Sequence, residues 1–304
     1  MYHTYSENDK KNYELAQDFS EMGDKITALK YYLKAAEAGI VPAMTACGNL
    51  YFDGEHGIKQ DVEKAVYWFK KAAEFNNVVA INNLGYIYET QNDYAPALDW
   101  YKRAAELGDV TAMMNLSGIY KIHYKNRKAA KFWVDKAESC TDLKSVLELA
   151  NYYVEADAIR NHIQKAIEFF EKAVEMGDTD SLNQLGNLYF FNQNFEKAEE
   201  CYFRASKLGY VDAMANLGLM ITYSGNFDKA YYWIKKAING GSTYALQVMG
   251  NLYTEHKQYP RALRWYRKAA AAGEFAALQE IRKIKKLLRT EKADYKLKLR
   301  SLID

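Results

Sequence analysis

Apolar and small residues recur along this chain at helical spacing, and the same short pattern returns eight times. One column is always alanine: Ala28, Ala65, Ala97, Ala130, Ala166, Ala198, Ala230 and Ala262. Seven residues on stands a second alanine: Ala35, Ala72, Ala104, Ala137, Ala173, Ala205, Ala237 and Ala269. Between them, three after the first alanine, come Tyr31, Trp68, Trp100, Trp133, Phe169, Cys201, Trp233 and Trp265, and this column takes all five tryptophans. The next column is Tyr32, Phe69, Tyr101, Val134, Phe170, Tyr202, Ile234 and Tyr266. Offsets of 0, 3, 4 and 7 put these four columns on one face of a helix, here termed B.

Upstream of each B pattern lies a second one, helix A. Its apolar column is Leu15, Cys47, Leu84, Leu116, Leu149, Leu185, Leu217 and Met249. The following residue is always small: Ala16, Gly48, Gly85, Ser117, Ala150, Gly186, Gly218 and Gly250. A glycine inside a helix costs about 1 kcal/mol relative to alanine. Five of them in one column require an offsetting gain, which close packing of A on B would supply. A lone helical hairpin cannot bury both of its faces, so the copies are expected to stack.

Each copy closes on a phrase such as KAAEAG from Lys34, RAAELG from Arg103, KAVEMG from Lys172 or KAAAAG from Lys268. The basic residues that open the phrases are spaced by 37, 32, 33, 36, 32, 32 and 32 residues. The order Ala, Leu-Gly, Tyr, Lys-Ala, Trp, Lys-Ala-Ala, Gly resembles the Sel1-like repeats, relatives of the tetratricopeptide repeats. The stretch AMTACGNLYFDGEHGIKQDVEKAVYWFKKAAE from Ala43 carries the longer A–B connection of that variety, with Gly54, Gly57 and Asp61. A second lengthened connection, EADAIRNHIQKA, starts at Glu155. The resemblance implies an all-α, right-handed α/α superhelical solenoid of about eight helical hairpins, with helix A lining the concave side. It covers residues 8 to about 285.

The segment from Phe275 starts in register as a ninth helix A, then departs from the pattern in IRKIKKLLRTEKADYKLKLRSLID. The division expected is therefore a repeat array over 1–274 and a basic capping helix region over 275–304, with Ile281, Ile284, Leu287 and Leu288 as the stripe that the last repeat covers. Residues 275–304 carry +5 of formal charge, leaving −3 elsewhere in a chain of +2 overall. A chain so nearly neutral has no global field pointing to nucleic acid or a membrane. The three cysteines, Cys47, Cys140 and Cys201, show no metal-ligand spacing and read as small buried residues in a reducing, cytoplasmic setting. The polar opening MYHTYSENDKKNYELAQ has no apolar signal-peptide core.

If helix A lines the concavity, two columns three residues apart face inward. They supply Asn49, Asn83, Asn115, Asn151, Asn187, Asn216 and Asn251, with Tyr86 beside them and Phe52 and Phe190 as further aromatic candidates. An asparagine amide both donates and accepts, so a ladder of them can pair with the backbone of an extended peptide. The same amides can equally brace neighbouring helices. Some tetratricopeptide proteins grip a terminal carboxylate with inward Lys and Arg; neither column here contains one, which disfavours such a clamp. The five histidines are scattered, with His56 and His162 in the two long connections, and no phosphate loop, dinucleotide fingerprint or nucleophile elbow occurs. Catalysis, metals and cofactors are not expected. The expected function is a non-enzymatic scaffold or adaptor for a protein or extended peptide of unknown identity, with no nucleic acid partner. Two alternatives stay open: an immunity protein neutralising a cognate toxin, and a peripheral membrane adaptor using the basic last helix.

Overall fold

The computed structural model describes residues 6–54, 56–155 and 160–300, with side chains described except at 160, 161 and 290–300. Seventeen α-helices and no strand are present among the described residues. They alternate as the two patterns predict. The A helices are α1 (Glu7–Glu21), α3 (Val41–Asp53), α5 (Val78–Thr90), α7 (Val110–Ile122), α9 (Leu143–Glu155), α11 (Ser181–Phe191), α13 (Val211–Tyr223) and α15 (Tyr244–Glu255). The B helices are α2 (Lys25–Glu37), α4 (Val62–Glu74), α6 (Tyr94–Glu106), α8 (Arg127–Glu138), α10 (Arg160–Glu175), α12 (Phe195–Leu208), α14 (Phe227–Asn239) and α16 (Tyr259–Ala271). A last helix, α17 (Ala276–Arg300), follows.

The chain forms two compact units, residues 1–152 and 153–304, with the boundary inside α9. In the first unit the hairpins α1–α2, α3–α4, α5–α6 and α7–α8 stack in chain order, each B helix packing on the next A helix. In the second unit α11–α12, α13–α14 and α15–α16 do the same, α10 packs on α11, and α17 packs on α16. Each unit is thus an all-α repeat stack.

Both alanine columns are buried in every copy. Their absent bulk lets the helices approach, and the columns between them fill the gaps at interior density. The glycines of helix A show why no larger residue fits. A Cβ placed on Gly85 would lie 2.6 Å from the Tyr101 ring, and one on Gly250 would lie 2.5 Å from the Tyr266 ring. Gly48 meets Phe69, Gly186 meets Tyr202 and Gly218 meets Ile234 in the same way. The loss of helix propensity is therefore balanced by the seating of a large side chain flat on the neighbouring backbone.

The basic residue that opens each phrase also has a place. Lys34, Arg103, Lys136, Lys172, Lys236 and Lys268 each sit over the ring three residues earlier, at 4.5 to 5.7 Å from its centroid. At such partly exposed sites a cation over a ring contributes about 0.5–1 kcal/mol. The glycine closing the phrase takes the left-handed conformation, as at Gly209 with φ 101°. In the second copy Asn76 does this instead, at φ 55°; asparagine is among the few other residues that adopt it routinely. Several helices begin on side-chain caps: Asp24 accepts from the Thr27 N–H, Asp61 from Lys64 and Asn226 from Lys229.

Cys47 and Cys201 lie in the core, whereas Cys140 is half-buried, and none is in a disulfide. Burial pushes the Cys47 thiol up to about 12 and the Cys201 thiol up to about 11, because desolvation disfavours the thiolate. At about pH 8 both therefore stay protonated and unreactive, because the reactive species is the thiolate. Ellman's reagent is therefore expected to modify Cys140 in the native protein and all three thiols in denaturant. Rapid modification of Cys47 without unfolding would contradict this packing.

Candidate functional site

The asparagine candidates fall on the A helices of both units, and most already have partners within the protein. In the first unit, Asn83 Nδ2 on α5 donates to Asn49 Oδ1 on α3 at 2.9 Å. Tyr86, 49% exposed, meets the edge of Phe52 with ring centroids 5.9 Å apart. Asn115, on α7, is half-buried, and buried Tyr101 donates its hydroxyl to Glu89 Oε2 at 2.7 Å. Asn151, on α9, is exposed.

In the second unit, Asn187 Oδ1 on α11 accepts from the Tyr202 hydroxyl at 2.7 Å and from Asn216 Nδ2 on α13 at 3.3 Å. Asn216 Nδ2 also donates to Asn183 Oδ1 at 3.2 Å. Asn251 Oδ1 on α15 accepts from the Tyr266 hydroxyl at 2.8 Å. These amides brace helix A to helix B and to the next helix A. Three of them leave one polar atom over: Asn83 Oδ1, Asn216 Oδ1 and Asn251 Nδ2 carry no hydrogen bond among the described residues.

Two depressions open beside these asparagines. The one in the first unit, about 280 Å³, is lined by Ser20, Lys25, Tyr32, Ala46, Asn49, Leu50, Asp53 and His56. Its cation, Lys25, comes from helix B and so lies outside the two inward columns. Its ammonium already donates to the Ser20 carbonyl at 3.0 Å and to the Ser20 hydroxyl at 2.7 Å. The one in the second unit, also about 280 Å³, is lined by Asn187, Phe190, Phe191, Tyr202, Asn216, Leu219, Met220 and Tyr244. It contains no charged side chain. Burial raises the Tyr202 and Tyr244 phenols above the ordinary range, so this wall stays neutral through the physiological range. Phe191 stands 74% exposed at the rim, with Phe190 edge-on to it.

Several expectations need correction. His162 is not in a loop: it belongs to the first turn of α10, half-buried, with its ring 5.8 Å from that of Tyr153. The second lengthened connection is shorter than expected for that reason, and its residues 156–159 lie outside the described residues. Val248, in register with Asn216, is wholly buried, so that column is not open to a partner throughout. On α17, Ile281 and Ile284 are covered but Leu287 is 40% exposed. Phe191 and Tyr244 were missed altogether. They occupy no repeating column, and the adjacent pair Phe190–Phe191 ending a helix A was the one available signal.

No group of three or more His, Cys, Asp or Glu suited to a metal ion exists among the described residues. No helix there is long and apolar enough to cross a membrane.

Stacked helical hairpins with small residues at the A–B contact define a repeat protein of the tetratricopeptide-like class. The Sel1 repeat model matches residues 12–40, 41–74, 145–178, 211–242 and 254–274. Tetratricopeptide repeat models match 78–108 and 179–208. The chain belongs to the Sel1-like repeat family. Among solved structures it is similar to yeast Tom70, at 16% identity and a TM-score of 0.52, over 95% of this chain and 67% of that one. It is similar to a Sel1 repeat protein from Oxalobacter formigenes, at 23% identity and a TM-score of 0.47, over 85% of this chain and 99% of that one. It is also similar to a protective antigen of uropathogenic Escherichia coli, at 26% identity and a TM-score of 0.43, over 90% of this chain. The chain spans 63% of the length of that antigen. No curated protein matches the sequence. The Sel1 and tetratricopeptide repeat fold is typical of protein–protein interaction scaffolds.

Proposed function

We propose that this protein is a non-enzymatic adaptor that holds an extended segment of a partner protein along its A helices, with the depression of the second unit as an anchor point. The observation that carries this reading is the composition of that depression. Aromatic and aliphatic side chains surround two asparagines, one of which, Asn216, still offers an unused amide oxygen. An apolar partner side chain would fill the space between Phe191, Leu219 and Met220. A partner backbone N–H would find the Asn216 oxygen. Aromatic pockets of this kind concentrate binding energy in few residues.

The asparagine ladder fits this role in altered form. Most of its members are fixed by Tyr or Asn neighbours, so they present a rigid polar edge at little entropic cost on binding. Asn49, Asn83, Asn115, Asn151 and Tyr86 would offer contacts of the same kind on the first unit by itself.

Replacing Phe191 by Asp tests the proposal. Partner capture after in-cell cross-linking is expected to fall about tenfold or more, with the thermal midpoint of the purified variant unchanged, since Phe191 lies mostly in solvent. Capture equal to that of the wild type would discard this anchor point.

A further inference from the structure

The last helix has a face that the repeats do not use. α17 is 25 residues long, whereas α16, on which it packs, has 13. At 1.5 Å per residue these are about 38 and about 20 Å, so α16 cannot cover α17 along its whole length. Ala277, Ile281 and Ile284 are buried against the repeats. On the far side, Arg282, Lys285, Lys286 and Arg289 are exposed. The one acid of this stretch, Glu280, is taken by Lys283 at 2.7 Å. Arg282, Lys285 and Arg289 make no ion pair among the described residues. The helix continues to Arg300, and its sequence there adds Lys292, Lys296, Lys298 and Arg300 against Glu291 and Asp294.

We infer that α17 docks this protein on an anionic lipid bilayer. The charge of the helix selects an anionic occupant and opposes a second copy of the same helix. The basic face is the convex side of a single helix, with no groove to grip a peptide, so it suits an extended flat surface. Leucines then decide between a bilayer and a nucleic acid. Leu278 is 42% exposed beside the basic side chains, and the sequence KLKLR from Lys296 interleaves leucine with lysine and arginine. A bilayer interface takes up both kinds of side chain, whereas a phosphate backbone rewards the cations alone. The attraction is electrostatic and weakens as salt rises. This docking is independent of the A-helix site, which lies on other helices.

Sedimentation of the full chain with vesicles tests it. Binding is expected to vesicles of phosphatidylcholine mixed with phosphatidylglycerol, and not to phosphatidylcholine alone. The triple variant Arg282→Glu, Lys285→Glu, Arg289→Glu is expected to bind about tenfold more weakly or worse, with an unchanged circular-dichroism melt. Should that variant melt early, Arg282→Gln, Lys285→Gln, Arg289→Gln removes the charge without reversing it. Failure of the wild type to bind the anionic vesicles, equal binding by a folded variant, or binding to duplex DNA in preference to the vesicles would each overturn the inference.

Discussion

Gly85→Ala is expected to destabilise the first unit by about 1 kcal/mol, although alanine is the better helix former. The added methyl would sit 2.6 Å from two ring carbons of Tyr101. That ring is fully buried and cannot swing aside, so the strain of overpacking, about 1–3 kcal/mol, outweighs the gain in helix propensity of about 1 kcal/mol. Gly118 provides the internal control. It stands on the next helix A, in α7, with nothing within 4 Å of an added Cβ. Gly118→Ala is expected to raise stability by up to about 1 kcal/mol. Thermal or urea denaturation of the two variants reads opposite signs for the same substitution. A stabilised Gly85→Ala protein would mean that A and B pack less closely than described.

Tyr101→Ala is expected to cost about 4 kcal/mol, within the range for removing a large buried aromatic side chain. The ring fills the notch over Gly85, and its hydroxyl donates to Glu89. Tyr101→Phe separates the two contributions, and loss of the hydroxyl alone is expected to cost about 1 kcal/mol. The ring and the glycine are also coupled. In the Tyr101→Ala background, Gly85→Ala should lose its penalty, giving an interaction energy of more than about 1 kcal/mol in a double-mutant cycle. Additive effects would show that the ring and the glycine do not share one contact.

How much was legible in the sequence follows from what repeats. The alanine and glycine columns recur because each copy meets its neighbours through the same surfaces, so one packing rule is written eight times. Register, helix pairing and the interior followed from those columns alone. The depression of the second unit was not legible. It is built from Phe191 at the end of α11, Tyr244 at the start of α15 and Met220 within α13, which share no register. A surface feature assembled from three different positions leaves no periodic trace. The asparagines were visible as a ladder, but their task was not. An amide that braces Tyr202 and one that awaits a partner look alike in sequence, and only the distances to neighbouring hydroxyls tell them apart.

The cation seated over a ring three residues earlier has a wider consequence. Both members of that pair belong to one helix, so the cation–ring contact itself needs no neighbouring copy, although Arg103 also donates to the Ala73 carbonyl and to Asn76 of the preceding copy. The same independence holds for the caps at the helix starts. Much of a copy's local finish is therefore its own, while its interior is completed by the matching columns of the copies beside it. Chains of this kind can gain or shed a copy by duplication or deletion of its coding segment without rewriting the copies that remain.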